Sequence, residues 1–302
     1  MYFAFERGTG RVLWKYDTRQ DGAPAQFHGD PLLTEDLVVA GSDSAAPGYV
    51  YAFERKTGAL RWKTAVGGLE TDLLHAGGTA FGTTSAGALV ALELATGKVI
   101  WKVESGGDPG RSRVRAPALS GDRIFFPGLD GKVYAVQAAT GEVLWQRDLG
   151  SPITTALLLA DGHLFAGAFN NRLYRLNPRT GEVTAEHDAG DFPHSVLTFA
   201  NGSLVALVGE KGILGLDPGL KVRWTRATSV PWSTLRPLVL GDSVLVGNDA
   251  GELLALRLAD GEPAWSTRIE GVPRGLSRDG SLLFVGTLDG AVLAYEYPES
   301  GR

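Results

Sequence analysis

Ten residues of types that bind or react stand at comparable points of a 302-residue chain: His28, Asp30, Asp72, Arg115, Thr154, His194, Trp232, Ser233, Arg236 and Arg274. They fall in seven stretches, QFHGDPLL (26–33), LETDLLHA (69–76), RVRAPALS (113–120), SPITTALL (151–158), FPHSVLTF (192–199), WSTLRPLV (232–239) and VPRGLSRD (272–279). Three arginines beside hydroxyl groups and one aromatic ring suit an anionic or planar ligand, held by paired N–H donors and by stacking. The lining of a water-filled passage would use the same residue types, with Arg set against Asp. Both readings are open at this level.

No catalytic spacing accompanies these residues. The chain has no Walker loop, no GxGxxG, no GxSxG and no HExxH. The Asp-Gly pairs at 130–131, 260–261 and 289–290 are turn chemistry, and none opens a calcium loop. Asn201-Gly202-Ser203 fits a glycosylation sequon, yet sister positions carry Asp-Gly at 161–162 and 279–280, so a turn is expected there too. The five histidines, His28, His75, His163, His187 and His194, include no pair at the close spacing of a local metal site. Cysteine is absent, which excludes disulfides, thiolate ligands and thiol catalysis in this sequence. Net charge is −5, so no basic surplus points to nucleic acid. No apolar run reaches the roughly 18–20 residues of a membrane span. MYFAFERGTG reads as strand and turn, with no apolar signal-peptide core.

What positions the ten residues is a repeat. The phrases GTGRVLW (8–14), KTGALRW (56–62), ATGKVIW (95–101) and ATGEVLW (139–145) recur, and further Trp residues close related phrases at Trp224 and Trp265. At 185 an Ala stands where the Trp would be. A spacing near 40 residues fits one four-stranded blade of a β-propeller. Residues 113–149 show the unit: RVRAPALS as strand A, DRIFFPG as B, KVYAVQ as C and EVLWQRDL as D. Thr-Gly makes the C–D turn, where Gly accepts positive φ. A large flat ring at one constant position suits blade-to-blade packing, so Trp14, Trp62, Trp101, Trp145, Trp224 and Trp265 are expected to be structural. In such a repeat strand A is innermost. The seven stretches then border a central channel, and residues far apart in sequence converge at its mouth. Two longer connections, GSDSAAPGYV (41–50) and ESGGDPGRSR (104–113), are candidates for a working face.

The pattern G-x-[VL]-[YVL]-A-[LFV]-x-x-x-T-G-x-x-x-W resembles the tryptophan-docking repeat of the PQQ-like β-propeller superfamily. Residues 131–145 match it fully, and 48–62 and 87–101 nearly so. The resemblance spans essentially the whole chain and is specific for fold, not for function. It implies an all-β, single-domain propeller over 1–302 with four-stranded antiparallel blades. Eight C strands but seven each of A, B and D suggest eight blades with an incomplete terminal one, the natural polypeptide extending upstream of Met1. The alternative is seven blades, with residues 11–17 as strand D beside 272–297 and residues 1–6 left over.

BamB-like non-enzymatic members are the nearest within the superfamily. They imply a monomeric protein-interaction scaffold outside the cytoplasm, with cell-envelope assembly factors as partners and no cofactor. Two other functions are carried alongside. One is a sensor propeller that binds a small anionic or sugar ligand at the channel mouth. The other is a PQQ-dependent dehydrogenase using PQQ with calcium, for which Asp30 and Asp72 are the only carboxylates at the mouth.

Overall fold

The computed structural model describes residues 1–21, 27, 29–43, 48–69, 71–108, 115–210, 212–227, 230–232 and 236–297. Apart from one 3₁₀ turn at Thr18–Asp21, every regular element of these residues is a β-strand. The chain forms two compact units, Met1–Ile153 and Thr154–Arg302.

In the first unit a hairpin, Tyr2–Phe5 with Val12–Tyr16, precedes three four-stranded antiparallel sheets: blade 1 (32–65), blade 2 (74–104) and blade 3 (118–148). Blade 3 shows the order, with strand A at Ala118–Ser120, B at Arg123–Pro127, C at Lys132–Gln137 and D at Val143–Asp148. The second unit holds blade 4 (158–188), blade 5 (193–227), blade 6 (238–268) and the three-stranded blade 7 (273–296). A short strand, Thr155–Ala156, adds in parallel to strand A of blade 5.

The fold is thus an all-β propeller of seven blades. That is the count of the alternative reading, and it replaces the eight first expected. Residues 1–6 are not left over, because Tyr2–Phe5 pairs with Val12–Tyr16.

In blades 1 to 6 strands B and C are largely buried, and their sequences are near-continuous apolar runs, such as SVLVG (243–247) and ALVALE (88–93), whereas those of blade 7 alternate. Strand D forms the outer edge and is more exposed, alternating in VTAEHD (183–188). Tyr51, Phe53, Phe81, Phe125, Phe126 and Phe165 are all fully buried. Each such ring removed from water contributes about 1.5–3 kcal/mol before entropic costs.

The recurring phrase is a lock between neighbouring blades. The indole Nε1–H of Trp14 donates to the Arg55 carbonyl at 2.9 Å, Trp62 to Leu94 at 2.8 Å, Trp101 to Ala138 at 3.0 Å and Trp224 to Leu258 at 2.9 Å. Each accepting carbonyl lies in the C–D turn of the next blade, three residues before that turn's glycine. The glycines Gly58, Gly97, Gly141 and Gly261 have φ between +72° and +75°. A Cβ on any of them would lie 2.4–2.8 Å from a ring atom of the same Trp. Glycine is therefore required twice, by the left-handed backbone and by the indole lying against it. Across the hairpin, each ring faces a small residue of strand C: Ala4, Ala52, Ala91 or Gly215. The residue before each of these Trp is skipped in the C–D register, a bulge repeated from blade to blade.

One seam departs from this rule at three positions together. Blade 4 has Ala185 in place of Trp, and the strand-C residue facing it is Arg175 rather than Ala or Gly. The next turn carries Leu220 at the glycine position, with φ +65°. Leu220 is 3% exposed and belongs to the cluster against which Ala185 packs. The leucine fills the space that an indole fills elsewhere. The Arg175 guanidinium bonds the Pro218 carbonyl of that turn at 3.2 Å, replacing the indole N–H bond.

Candidate functional site

Positions at the approaches to strand A are set by the D–A connections. In the first unit these approaches are stitched together. The Asp30 backbone N–H donates to Asp72 Oδ1 at 2.9 Å. The chain at Gly29 runs so close to Thr71 that a Cβ there would lie 2.4 Å from its carbonyl oxygen. Thr71 and Thr83 share a hydroxyl–hydroxyl hydrogen bond of 2.9 Å, and Thr83 Oγ1 donates to the Arg115 carbonyl at 2.9 Å. Asp30, Asp72 and Arg115, three of the sequence-derived site residues, are thereby linked across blades 1 to 3.

The second unit repeats the device. The Thr154 hydroxyl donates to the Pro193 carbonyl, and Thr154 N–H to the Gly167 carbonyl at 2.8 Å. His194 sits on strand A of blade 5, its Nε2 2.6 Å from the Gly209 carbonyl and its ring 6.0 Å from that of Phe192. Arg274 opens blade 7 and is ion-paired to Asp249 at 3.0 Å. Arg236 is exposed at the approach to blade 6. His28 and Ser233 lie outside the described residues.

Trp232, expected as a loose aromatic at the mouth, is packed instead. It is 4% exposed, within a cluster that includes Val205, Leu207, Ile213, Trp224 and Val244. Its backbone N–H donates to the Glu210 carbonyl at 2.9 Å, and its buried Nε1 has no hydrogen-bond partner among the described residues. The ring's faces are occupied by protein and offer no stacking platform in this conformation.

Sequence reasoning missed a cavity of about 760 Å³ beside blade 3, lined by Gly107, Asp108, Leu129, Asp130, Asp148, Gly150, Ser151 and Pro152. The second long connection borders it, through a parallel bridge between Gly107 and Leu129. Asp130 accepts the Tyr134 hydroxyl at 2.7 Å and lies 3.4 Å from Lys132 Nζ. Burial, helped by the Asp130 carboxylate, pushes the Tyr134 phenol up to about 12. Asp130-Gly131 reads as a turn in the sequence, and it is one. No repeat position marked the cavity: Asp148 ends strand D of blade 3, whereas its equivalent in blade 2 is Glu104, and Asp108 lies further along the connection.

Asp72 accepts the neighbouring backbone N–H, and no group of three His, Asp or Glu side chains able to hold a metal occurs among the described residues.

Comparison with known proteins gives one family and several folds of the same kind. A family profile described as outer membrane protein assembly factor BamB matches residues 3–158 and 86–301. No curated protein matches the sequence significantly. The crystal structure of BamB from Moraxella catarrhalis is similar with a TM-score of 0.80 and 18% identity, over 95% of this chain and 89% of that one. The computationally designed Ika8 protein gives 0.77 and 17%, over 97% and 89%. The quinohemoprotein alcohol dehydrogenase from Comamonas testosteroni gives 0.75 and 13%, over 99% and 73%. At these identities the structural matches establish the fold alone.

Proposed function

The chain belongs to the PQQ-like repeat family described as outer membrane protein assembly factor BamB, and from that premise we propose that it is a non-catalytic propeller that presents surfaces to protein partners in the cell envelope, as a scaffold in outer-membrane protein assembly. The observation that carries this reading is the use made of polar groups at the strand-A approaches. Asp72, Thr71, Thr83 and Thr154 spend hydrogen bonds on the backbone or hydroxyl of a neighbouring strand or blade. A catalytic group needs its reacting atom turned toward a substrate position. These groups brace a rigid rim, which suits loops that display binding surfaces.

Two measurements on the full chain test the reading. Calorimetric titration with PQQ and calcium, followed by a dye-linked alcohol oxidation assay, is expected to give neither saturable binding nor turnover. Affinity capture from a cell-envelope extract is expected to enrich a reproducible set of envelope proteins. Micromolar PQQ binding with turnover, or capture no different from that of an unrelated β-propeller, would overturn it.

A further inference from the structure

Blade 5 carries a second cavity, of about 770 Å³, whose lining combines an apolar floor with a charged rim. Val208, Ile213 and Leu214 supply the floor, Phe192 one wall, and Asp191 and Glu210 the rim. Beside Phe192, at a centroid distance of 5.4 Å, lies Phe169, which is 52% exposed. Phe169 occupies the B–C turn position that Leu129 occupies in blade 3. There the residue is 5% exposed, and the backbone at that point is bridged by Gly107 of the neighbouring connection. Blade 4 has the same apolar position without that cover.

The charges around this cavity are one-sided. Asp191 Oδ1 accepts its neighbour's N–H from Phe192 at 2.8 Å, which fixes the carboxylate. The exposed Glu210 side chain has no ion-pair partner among the described residues, and its backbone carbonyl accepts the Trp232 N–H. The cation in the lining is Arg226, which is engaged with the next blade: it donates to the Gly261 carbonyl at 3.3 Å and lies 3.8 Å from Glu262. Half-buried Phe192 and Leu214, exposed Phe169 and carboxylates that have no cation of their own among the described residues are complementary to a long side chain with an aliphatic stem and a cationic head. The whole chain's charge of −5 acts in the same direction at longer range.

We propose that this pocket on blade 5 is the docking point for an arginine- or lysine-bearing extended segment of a protein partner. The stem packs on Phe192 and Leu214, the cationic head meets Asp191 and Glu210, and a neighbouring apolar residue of the segment covers Phe169. The proposal rests on the scaffold reading above and gives that reading a position and a partner chemistry.

The test uses the full chain and an immobilised array of nine-residue peptides with randomised flanks and a central Arg, Lys, Gln or Glu. The wild-type protein is expected to favour central Arg and Lys over Glu by at least fivefold, and to lose that preference at high salt. Glu210→Lys is expected to shift the preference toward central Glu, and Phe169→Ala to weaken binding of every peptide class. Both residues are exposed, so thermal unfolding should be unchanged and will separate misfolding from lost contact. Equal binding of Arg and Glu peptides by wild type, or an unchanged preference in Glu210→Lys, would overturn the proposal. Capture from envelope extract with wild type and Glu210→Lys in parallel distinguishes the two levels. An identical captured set sinks the pocket but leaves the scaffold, whereas no capture by wild type sinks the scaffold.

Discussion

Restoring the repeat rule at the seam between blades 4 and 5 measures how the docking Trp works. The perturbation is the set Ala185→Trp, Arg175→Ala and Leu220→Gly, made singly and together. Ala185→Trp alone places an indole where Leu220, 3% exposed, already packs. Overpacking of this kind costs about 1–3 kcal/mol. Leu220→Gly alone empties a buried leucine site, at about 2–5 kcal/mol. It also relieves a left-handed backbone, φ +65°, that costs a non-glycine residue about 1–2 kcal/mol. The net loss is about 0–4 kcal/mol. Arg175→Ala removes the facing side chain and its bond to Pro218. In the triple variant the indole occupies the vacated space and its N–H takes a turn carbonyl, as in four sister seams. Its stability should lie within about 1 kcal/mol of wild type, with a favourable coupling of at least about 1 kcal/mol relative to the sum of the single changes. The assay is urea unfolding followed by fluorescence and circular dichroism, compared at constant slope. Additivity within about 0.5 kcal/mol, or a harmless Ala185→Trp, would refute the claim that Leu220 stands in for the ring.

Two further outcomes follow from the same geometry. Gly97→Ala and Gly78→Ala both put a Cβ on a positive-φ backbone, at +74° and +80°, but only the first meets a neighbour, 2.4 Å from the Trp62 ring. Unfolding midpoints should show Gly97→Ala the more damaging by about 1–3 kcal/mol, the overpacking cost alone. Tyr134 has its phenol raised from 10.0 to about 12 in the folded state, so the unfolded chain loses that proton first. Its contribution to stability is whole below pH 10 and is lost as pH rises toward 12. Denaturant midpoints across that window should fall more steeply for wild type than for Tyr134→Phe, and ultraviolet titration should show one late-ionising tyrosine that the variant lacks.

How far the sequence reaches is set by which interactions are local. The Thr-Gly turn, its positive φ and the Trp four residues on are encoded within one hairpin, so the phrase at 95–101 or 139–145 fixed its own reading, and four indoles lie where that reading puts them. The bulge before each Trp was not legible, because it is a property of the C–D register rather than of either strand. The pairing of Tyr2–Phe5 with Val12–Tyr16 is likewise a matter of edges. At the strand-A approaches the repeat indicated which residues to examine, but not where they point: Trp232 turned into the core, and Asp72 toward a backbone N–H. Loop side chains carry no period from which direction can be read.

The seam at Ala185 suggests how departures from a repeat can be sorted. There, three positions change in concert, and each change makes room for or replaces another: a ring lost, a leucine gained, a guanidinium supplying the missing donor. Compensation of this kind closes the contact within the molecule. Phe169 and Glu210 differ. The turn position of Phe169 is apolar as in blade 3, yet nothing within the described residues covers it as the Gly107 connection covers Leu129, and Glu210 has no described cation. Leaving Phe169 52% exposed forgoes about half of the roughly 1.5–3 kcal/mol that full burial of such a ring is worth, which nearby changes could have recovered had the surface been only structural. An uncompensated departure points outward, to whatever completes the contact, and for this chain it points to blade 5.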